Sequence, residues 1–218
     1  MRLRNIPGAD DWIAKSPYVI QDPVSLKGKW SERFGNDAPI RVEIGCGKGR
    51  FITQKAEISP GVNFIGIEQY SSVLYRGIRK LDDREQPNIL FIRVNAAQLP
   101  EIFEEGEVDR IYVNFPDPWP KDRHAKRRLM YRSFLELYDR VLAPGGRVEF
   151  KTDNEKLFDF ALEELEPAGW QAVSVTRNLH SNPDMMAGNV ETEYEEKFSL
   201  LGYPIYKCII TRLAEKHS

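Results

Sequence analysis

Apolar residues fall along this chain in short runs closed by glycine, proline or a charged residue, and between the runs they recur at helical spacing. Ile40-Arg41-Val42-Glu43-Ile44 reads as a strand ending at Gly45. Residues 62–67, 89–94 and 108–115 read as three more, and 146–151 as a fifth, introduced by the turn Pro144-Gly145-Gly146. Two helical patterns stand out: 124–142, with Met130, Phe134, Leu137 and Val141 on one face, and 155–166, with Leu157, Phe158, Ala161 and Leu165 inward. Residues 170–178 and 204–210 read as strands joined by a polar loop with no helix of useful length, which predicts an antiparallel edge pair. Strands alternating with helices predict an α/β fold, a mostly parallel sheet of about seven strands with one reversed and helices on both faces. With no repeats, the expected organisation is one domain over 1–218, a polar arm with a short helix over 1–35 and a Rossmann-like core over 36–218.

Composition narrows the setting. Two cysteines, Cys46 and Cys208, form neither a disulfide framework nor metal-ligand spacing, and His124, His180 and His217 make no visible set, so no metal is expected. No apolar stretch approaches the ~20 residues needed to cross a bilayer, and Met1-Arg2-Leu3-Arg4-Asn5 lacks the apolar region of a signal peptide. The expectation is a soluble chain in the reducing cytoplasm, without a membrane partner. With 31 basic and 33 acidic side chains the net charge is only −2, but the charge is segregated. Lys121 to Arg132 holds six Lys/Arg and one acid, while Glu191 to Glu196 holds four acids and no base.

In open α/β sheets ligands bind beyond the carboxyl ends of the strands, and the chemistry of this chain collects there. Glu43-Ile44-Gly45-Cys46-Gly47-Lys48-Gly49 closes the first strand, Glu68 the second, Asn95 the third and Lys151-Thr152-Asp153-Asn154 the fifth. The glycine spacing is neither the dinucleotide fingerprint, since position 50 is Arg, nor a Walker loop. It fits the S-adenosylmethionine loop of class I methyltransferases, or a plain strand-to-helix turn. A carboxylate at Glu68 suits two ribose hydroxyls. The fourth strand ends in Asn114-Phe115-Pro116-Asp117-Pro118-Trp119-Pro120-Lys121, whose prolines hold a carboxylate and an aromatic ring in an extended loop beside the cationic run. A rigid polar-aromatic site fused to positive charge points to chemistry on a nucleic acid.

These segments, with Lys27 to Trp30, Phe34 to Asn36 and Thr192-Glu193-Tyr194-Glu195-Glu196-Lys197-Phe198, resemble the bacterial tRNA (guanine-N7-)-methyltransferase family over nearly the whole chain. The resemblance implies a class I methyltransferase that uses S-adenosyl-L-methionine and methylates guanosine 46 in the tRNA variable loop. It implies cofactor contacts at Glu43, Gly45, Gly47, Gly49, Glu68, Asn95 and Asp117, with Asp117 also catalytic. It implies substrate contacts at Lys121, Asp153, Thr192, Glu193, Tyr194 and Glu195, and RNA contacts at Arg123, His124, Ala125, Lys126, Arg127 and Arg128. At position 95 the family usually has Asp, so here a neutral carbonyl would meet the adenine amino group.

Guanine N7 carries a free lone pair, so its methylation needs alignment rather than a general base. Positive charge moves from sulfonium to purine, a shift the Asp117 carboxylate favours. A carboxylate also accepts from the N1–H and amine of guanine as a pair, which adenine cannot offer; Asp153 and Glu195 are the candidates. Trp119 either stacks on a flipped base or fills the core. Two other readings stay open: an amino-group methyltransferase, since Asn114-Phe115-Pro116 approaches the Asn-Pro-Pro-aromatic loop, and a non-catalytic RNA-binding protein on the same scaffold. The oligomeric state is left open.

Overall fold

The computed structural model describes residues 6–79, 81 and 85–213. Eight strands form one sheet: β1 (Val19–Ile20), β2 (Ile40–Ile44), β3 (Asn63–Ile67), β4 (Ile89–Ile92), β5 (Val108–Asn114), β6 (Leu142–Thr152), β7 (Trp170–Thr176) and β8 (Tyr206–Arg212). Their order is β1-β4-β3-β2-β5-β6-β8-β7, and β8 alone runs against its neighbours. The helices are α1 (Ala9–Lys15), α2 (Trp30–Phe34), α3 (Arg50–Ile58), α4 (Ser71–Ile78), α5 (Leu99–Ile102), α6 (Arg132–Val141), α7 (Glu155–Glu163), α8 (Pro183–Met186) and α9 (Glu193–Leu200).

The central strands are near-continuous Ile, Val and Phe because both of their faces are covered. On one face Ile13 of α1, Phe51, Ile52 and Ala56 of α3, and Leu74 and Ile78 of α4 close an apolar layer over Phe64 and Phe91. On the other, Trp30, Leu99, Ile102, Leu135, Tyr138 and Phe158 pack against Val42, Ile65, Ile111 and Phe150. At roughly 1.5–3 kcal/mol per buried large apolar side chain, these two layers dominate the stability of the sheet.

Four expectations need correction. The N-terminal segment is more than an arm: β1 extends the sheet beside β4, and the fully buried Trp30 donates its indole N–H to the Ile102 carbonyl at 3.0 Å. Pro144-Gly145-Gly146 is a bulge inside the single long strand β6, where pairing with β5 jumps from Leu142 to Arg147. The helix expected from 124 begins at Arg132, and its inward face is Leu135, Tyr138 and Val141 rather than Phe134 and Leu137. The stretch before it is a 3₁₀ segment, Asp122–Arg127, followed by extended backbone at Arg128. Finally, the loop between β7 and β8 contains α8 and α9. Thr192 caps α9 by accepting from the Glu195 amide at 2.9 Å, so Thr-Glu-Tyr-Glu is a helix start.

Candidate active site

The glycine loop leaves β2 with Gly45, Gly47 and Gly49 all at positive φ (70°, 59° and 71°). A Cβ at Gly45 or Gly47 would meet open space, so the loop presents bare backbone to whatever lies above it. From behind, α4 presses on the loop: a Cβ at Gly77 would sit 2.1 Å from the Lys48 carbonyl oxygen. The glycines at 45 and 47 thus face a ligand space, and Gly77 sets how closely the next helix backs it.

Glu43 lies under this loop, 2 % exposed. One of its oxygens accepts from the Asn114 side-chain amide at 2.8 Å, and the other has no partner. Burial drives the carboxyl up to about 8, against the opposing pull of Asn114 and Lys151. An unpaired buried carboxyl oxygen below open backbone suits the cationic amino group of an amino-acid tail. Glu68 accepts from the amides of Gly47 (3.1 Å), Gln69 (2.8 Å) and Tyr70 (3.0 Å). Burial raises it, the three amides oppose, and the Asp117 charge adds to the rise. Asn95 is exposed and caps the next turn, its carbonyl accepting from the Ala97 amide at 2.9 Å while its amide donates to Gln69 at 3.2 Å. Asn is as good a cap as Asp here. Gln69, which sequence reasoning overlooked, links the second and third strand ends.

β5 delivers the proline loop. Phe115 is fixed by donation from its amide to the Lys151 carbonyl at 2.8 Å, and both Phe115 (φ 48°) and Trp119 (φ 42°) are left-handed. For bulky side chains that conformation costs of order 1–3 kcal/mol each and persists only where the surroundings enforce it. Asp117 is exposed at the crest between the two strained residues. The Tyr194 hydroxyl is raised by its burial and then by the charges of Asp153 and Asp117. The Tyr194 ring lies 5.3 Å from Phe115. The structure thus sets the Tyr194 ring against the base of the proline loop that carries Asp117.

It does not bring all the expected residues to that space. Glu195 is fully buried: Lys151 donates to one oxygen at 2.5 Å and Asn189 to the other at 2.9 Å. A carboxylate so occupied is not presented to a base, and its expected role of accepting from guanine is corrected to holding Lys151. Thr192 serves as the cap of α9, and Glu193 pairs with Lys48 of the glycine loop at 2.6 Å. Glu196 pairs with Arg50. The acidic helix is thus strapped across the glycine loop. His180 lies 3.4 Å from Glu195 and 3.9 Å from Glu191, a grouping the sequence hid, but Lys151 already supplies the cation there.

The cationic run divides. Lys121, Arg123, Lys126 and Arg127 are exposed, with His124 and Ala125 half-buried. Arg127 lies over the Trp119 ring at 4.9 Å and His124 meets that ring edge-on at 5.7 Å. Half-buried Trp119 therefore belongs to the cationic surface, not to the core. Arg128 is 9 % exposed; its guanidinium donates to the Trp119 carbonyl at 3.1 and 3.3 Å and covers the Phe160 ring at 4.2 Å. Its expected RNA contact is corrected to an anchor that holds the strained end of the proline loop. Extended backbone at Arg128 is what carries the side chain inward, and it explains why α6 starts late.

A glycine cradle, a ribose-suited carboxylate and an acidic crest on one rim of a largely parallel sheet, whose reversed strand lies second from the edge, define a class I methyltransferase. Two solved structures share the fold: "Structure of an Antibiotic Related Methyltransferase" (TM-score 0.65, 16 % identity, 85 % of this chain and 94 % of that one) and "Crystal Structure of 16S rRNA Methyltranferase KamB" (0.66, 14 %, 86 % and 94 %). A family model described as "Putative methyltransferase" matches residues 37–208. The tRNA (guanine-N(7)-)-methyltransferase of Lachnoclostridium phytofermentans is 53 % identical over 99 % of this chain and 100 % of its own length. The proteins of the same name from Geobacillus kaustophilus and Bacillus subtilis are 51 % and 46 % identical, over 100 % and 95 % of this chain and 100 % and 97 % of their own lengths. The chain belongs to the tRNA (guanine-N(7)-)-methyltransferase family.

Proposed function

We propose that the chain transfers a methyl group from S-adenosyl-L-methionine to N7 of guanosine 46 in the variable loop of tRNA, in the cytoplasm and without a metal. The observation that carries this reading is the exposed Asp117 on the strained proline loop, with the Tyr194 ring against Phe115 and the exposed cations of 121–127 alongside. The cofactor supplies a methyl group on a cationic sulfur. Gly45 and Gly47 leave its amino-acid tail room while Gly49, packed on Phe91, turns the loop into α3; Glu43 meets the tail's ammonium, Glu68 receives the ribose hydroxyls and Asn95 lies by the adenine. Asp117 faces the charge that moves onto the purine and aligns N7 with the methyl group.

On the substrate side, Asp153 accepts from the guanine N–H edge. Thr192, Glu193 and Tyr194 form the wall opposite, with Tyr194 as the aromatic surface. Lys121, Arg123, Lys126 and Arg127, with His124 and Ala125 between them, track the phosphate backbone. Arg128 and Glu195 act through the residues they hold. The names of the relatives weigh against the amino-group alternative. So does Asn114, whose amide is turned in to Glu43.

The test is transfer of labelled methyl from the cofactor to unmodified tRNA, followed by mapping of the modified nucleotide. Label on guanosine 46, absent from a tRNA with adenosine there, is expected. Label on an adenine, a ribose or protein, or none at all, overturns the proposal.

A further inference from the structure

Away from the glycine loop, on the sheet face that α3 flanks, a cavity of about 320 Å³ lies under residues 184–189. Its walls carry four cations, Lys55, Arg110, Lys151 and Lys207, against two carboxylates, Glu149 and Asp184. Glu149 is shared by Arg110 (2.6 Å) and Lys207 (3.2 Å), and Lys151 is matched by Glu195. Among the described residues no carboxylate pairs with Lys55, which donates to the Gly188 carbonyl at 2.8 Å and lies 5.7 Å from the Tyr112 ring centre.

Two donors on the floor are without an acceptor among the described residues: the hydroxyl of Tyr112, which is 1 % exposed and lies by the Arg41 guanidinium, and Nε of Arg110. Their residues stand two apart on β5, hence on one face of the sheet. A buried polar group without a partner is normally rare and costly. Two donors together, in a cavity with surplus positive charge, need an acceptor that is negative. Positive surplus is also felt by Lys55, which burial pushes down to about 8; Lys207, Lys151 and Arg41 lower it further, with Glu149 opposing.

We propose that this cavity binds a phosphate-bearing anion through Lys55, Arg110 and the Tyr112 hydroxyl. The volume lies at the small end of ligand sites and exceeds what a bare ion fills, so the phosphate belongs to a small phosphorylated molecule or to a phosphate of the tRNA seated from the open side. Either source uses the same three donors.

Titration of the full chain with inorganic phosphate, against sodium chloride of equal ionic strength, tests the site by calorimetry. Saturable binding in the range of about 0.1–10 mM is expected. Lys55→Gln should weaken it about tenfold or more, and Tyr112→Phe severalfold. Tyr112→Phe removes a hydroxyl that has no acceptor but lies by Arg41, so its Tm is measured alongside; a Tm near the wild type's shows that weakened binding is not misfolding. Absence of saturable binding, or wild-type binding by both variants, overturns the proposal. The sources separate in the methylation assay. If the phosphate is the tRNA's, inorganic phosphate raises the KM for tRNA and Lys55→Gln raises it without phosphate. If it is a small molecule's, the KM for tRNA is unmoved in both cases while phosphate binding remains.

Discussion

Glu43 holds a carboxyl whose ordinary value near 4.5 is driven to about 8 by burial. The folded state therefore keeps a proton that the unfolded chain gives up, and the stability this carries is present below pH ~4.5 and lost as pH rises towards 8. Glu43→Gln keeps the acceptor for Asn114 and removes the ionisation, so its Tm should exceed the wild type's at pH 8 and converge with it near pH 5. Each kcal/mol shows as about 2–4 °C in a chain of this size. A constant difference across pH would refute the assignment. Asp117 makes the opposite case: it is exposed, and Asp117→Ala should lower kcat by about 100-fold or more while cofactor affinity hardly moves. A normal kcat with a raised KM for the cofactor would make it a binding residue. Glu195→Gln leaves the buried Lys151 ammonium without its match, at a cost of about 3–5 kcal/mol. Adding Lys151→Met should recover much of that stability. Loss of activity at unchanged Tm would instead return Glu195 to the base.

At the level of elements, the cationic run is two things in one sequence. Lys126→Ala with Arg127→Ala should lower the log–log salt slope of tRNA binding by about 0.7–0.9 for each phosphate left without its cation, at nearly unchanged Tm. Arg128→Ala should leave the slope alone and lower kcat and Tm, because the Trp119 carbonyl loses its donor and the strained loop loses its hold. Equal slope changes from all three positions would undo the division. Nothing in Lys126-Arg127-Arg128 distinguishes the third cation, since which side of the chain Arg128 takes depends on Phe160, far along the sequence. The main strands were legible because apolar runs ending in glycine or a polar residue leave little choice. α9 was not: over eight residues its apolar side chains are Tyr194, Phe198 and Leu200, too few to set a clear period, and the stronger signal was the Thr-x-x-Glu start. Two-residue β1 has no sequence signal at all; its pairing with β4 comes from α1 packing against α4.

For the whole molecule, the rim could be read from sequence because every strand end in a parallel sheet points the same way. The straps across it could not. Lys48 and Glu193, or Lys151 and Glu195, are matched only once the segment between β7 and β8 folds back over the sheet. The strand order then has a consequence for synthesis. β8 lies between β6 and β7 although it follows both in the chain, so β7 has no place in the sheet until β8 emerges. As the chain leaves the ribosome, the half from β1 to β6 can assemble first, with the far edge of β6 bare and exposed to unwanted pairing. Arrival of β8 ends that exposure, admits β7 and draws α9 over the glycine loop in the same event. An unfinished chain has a cradle with no cover.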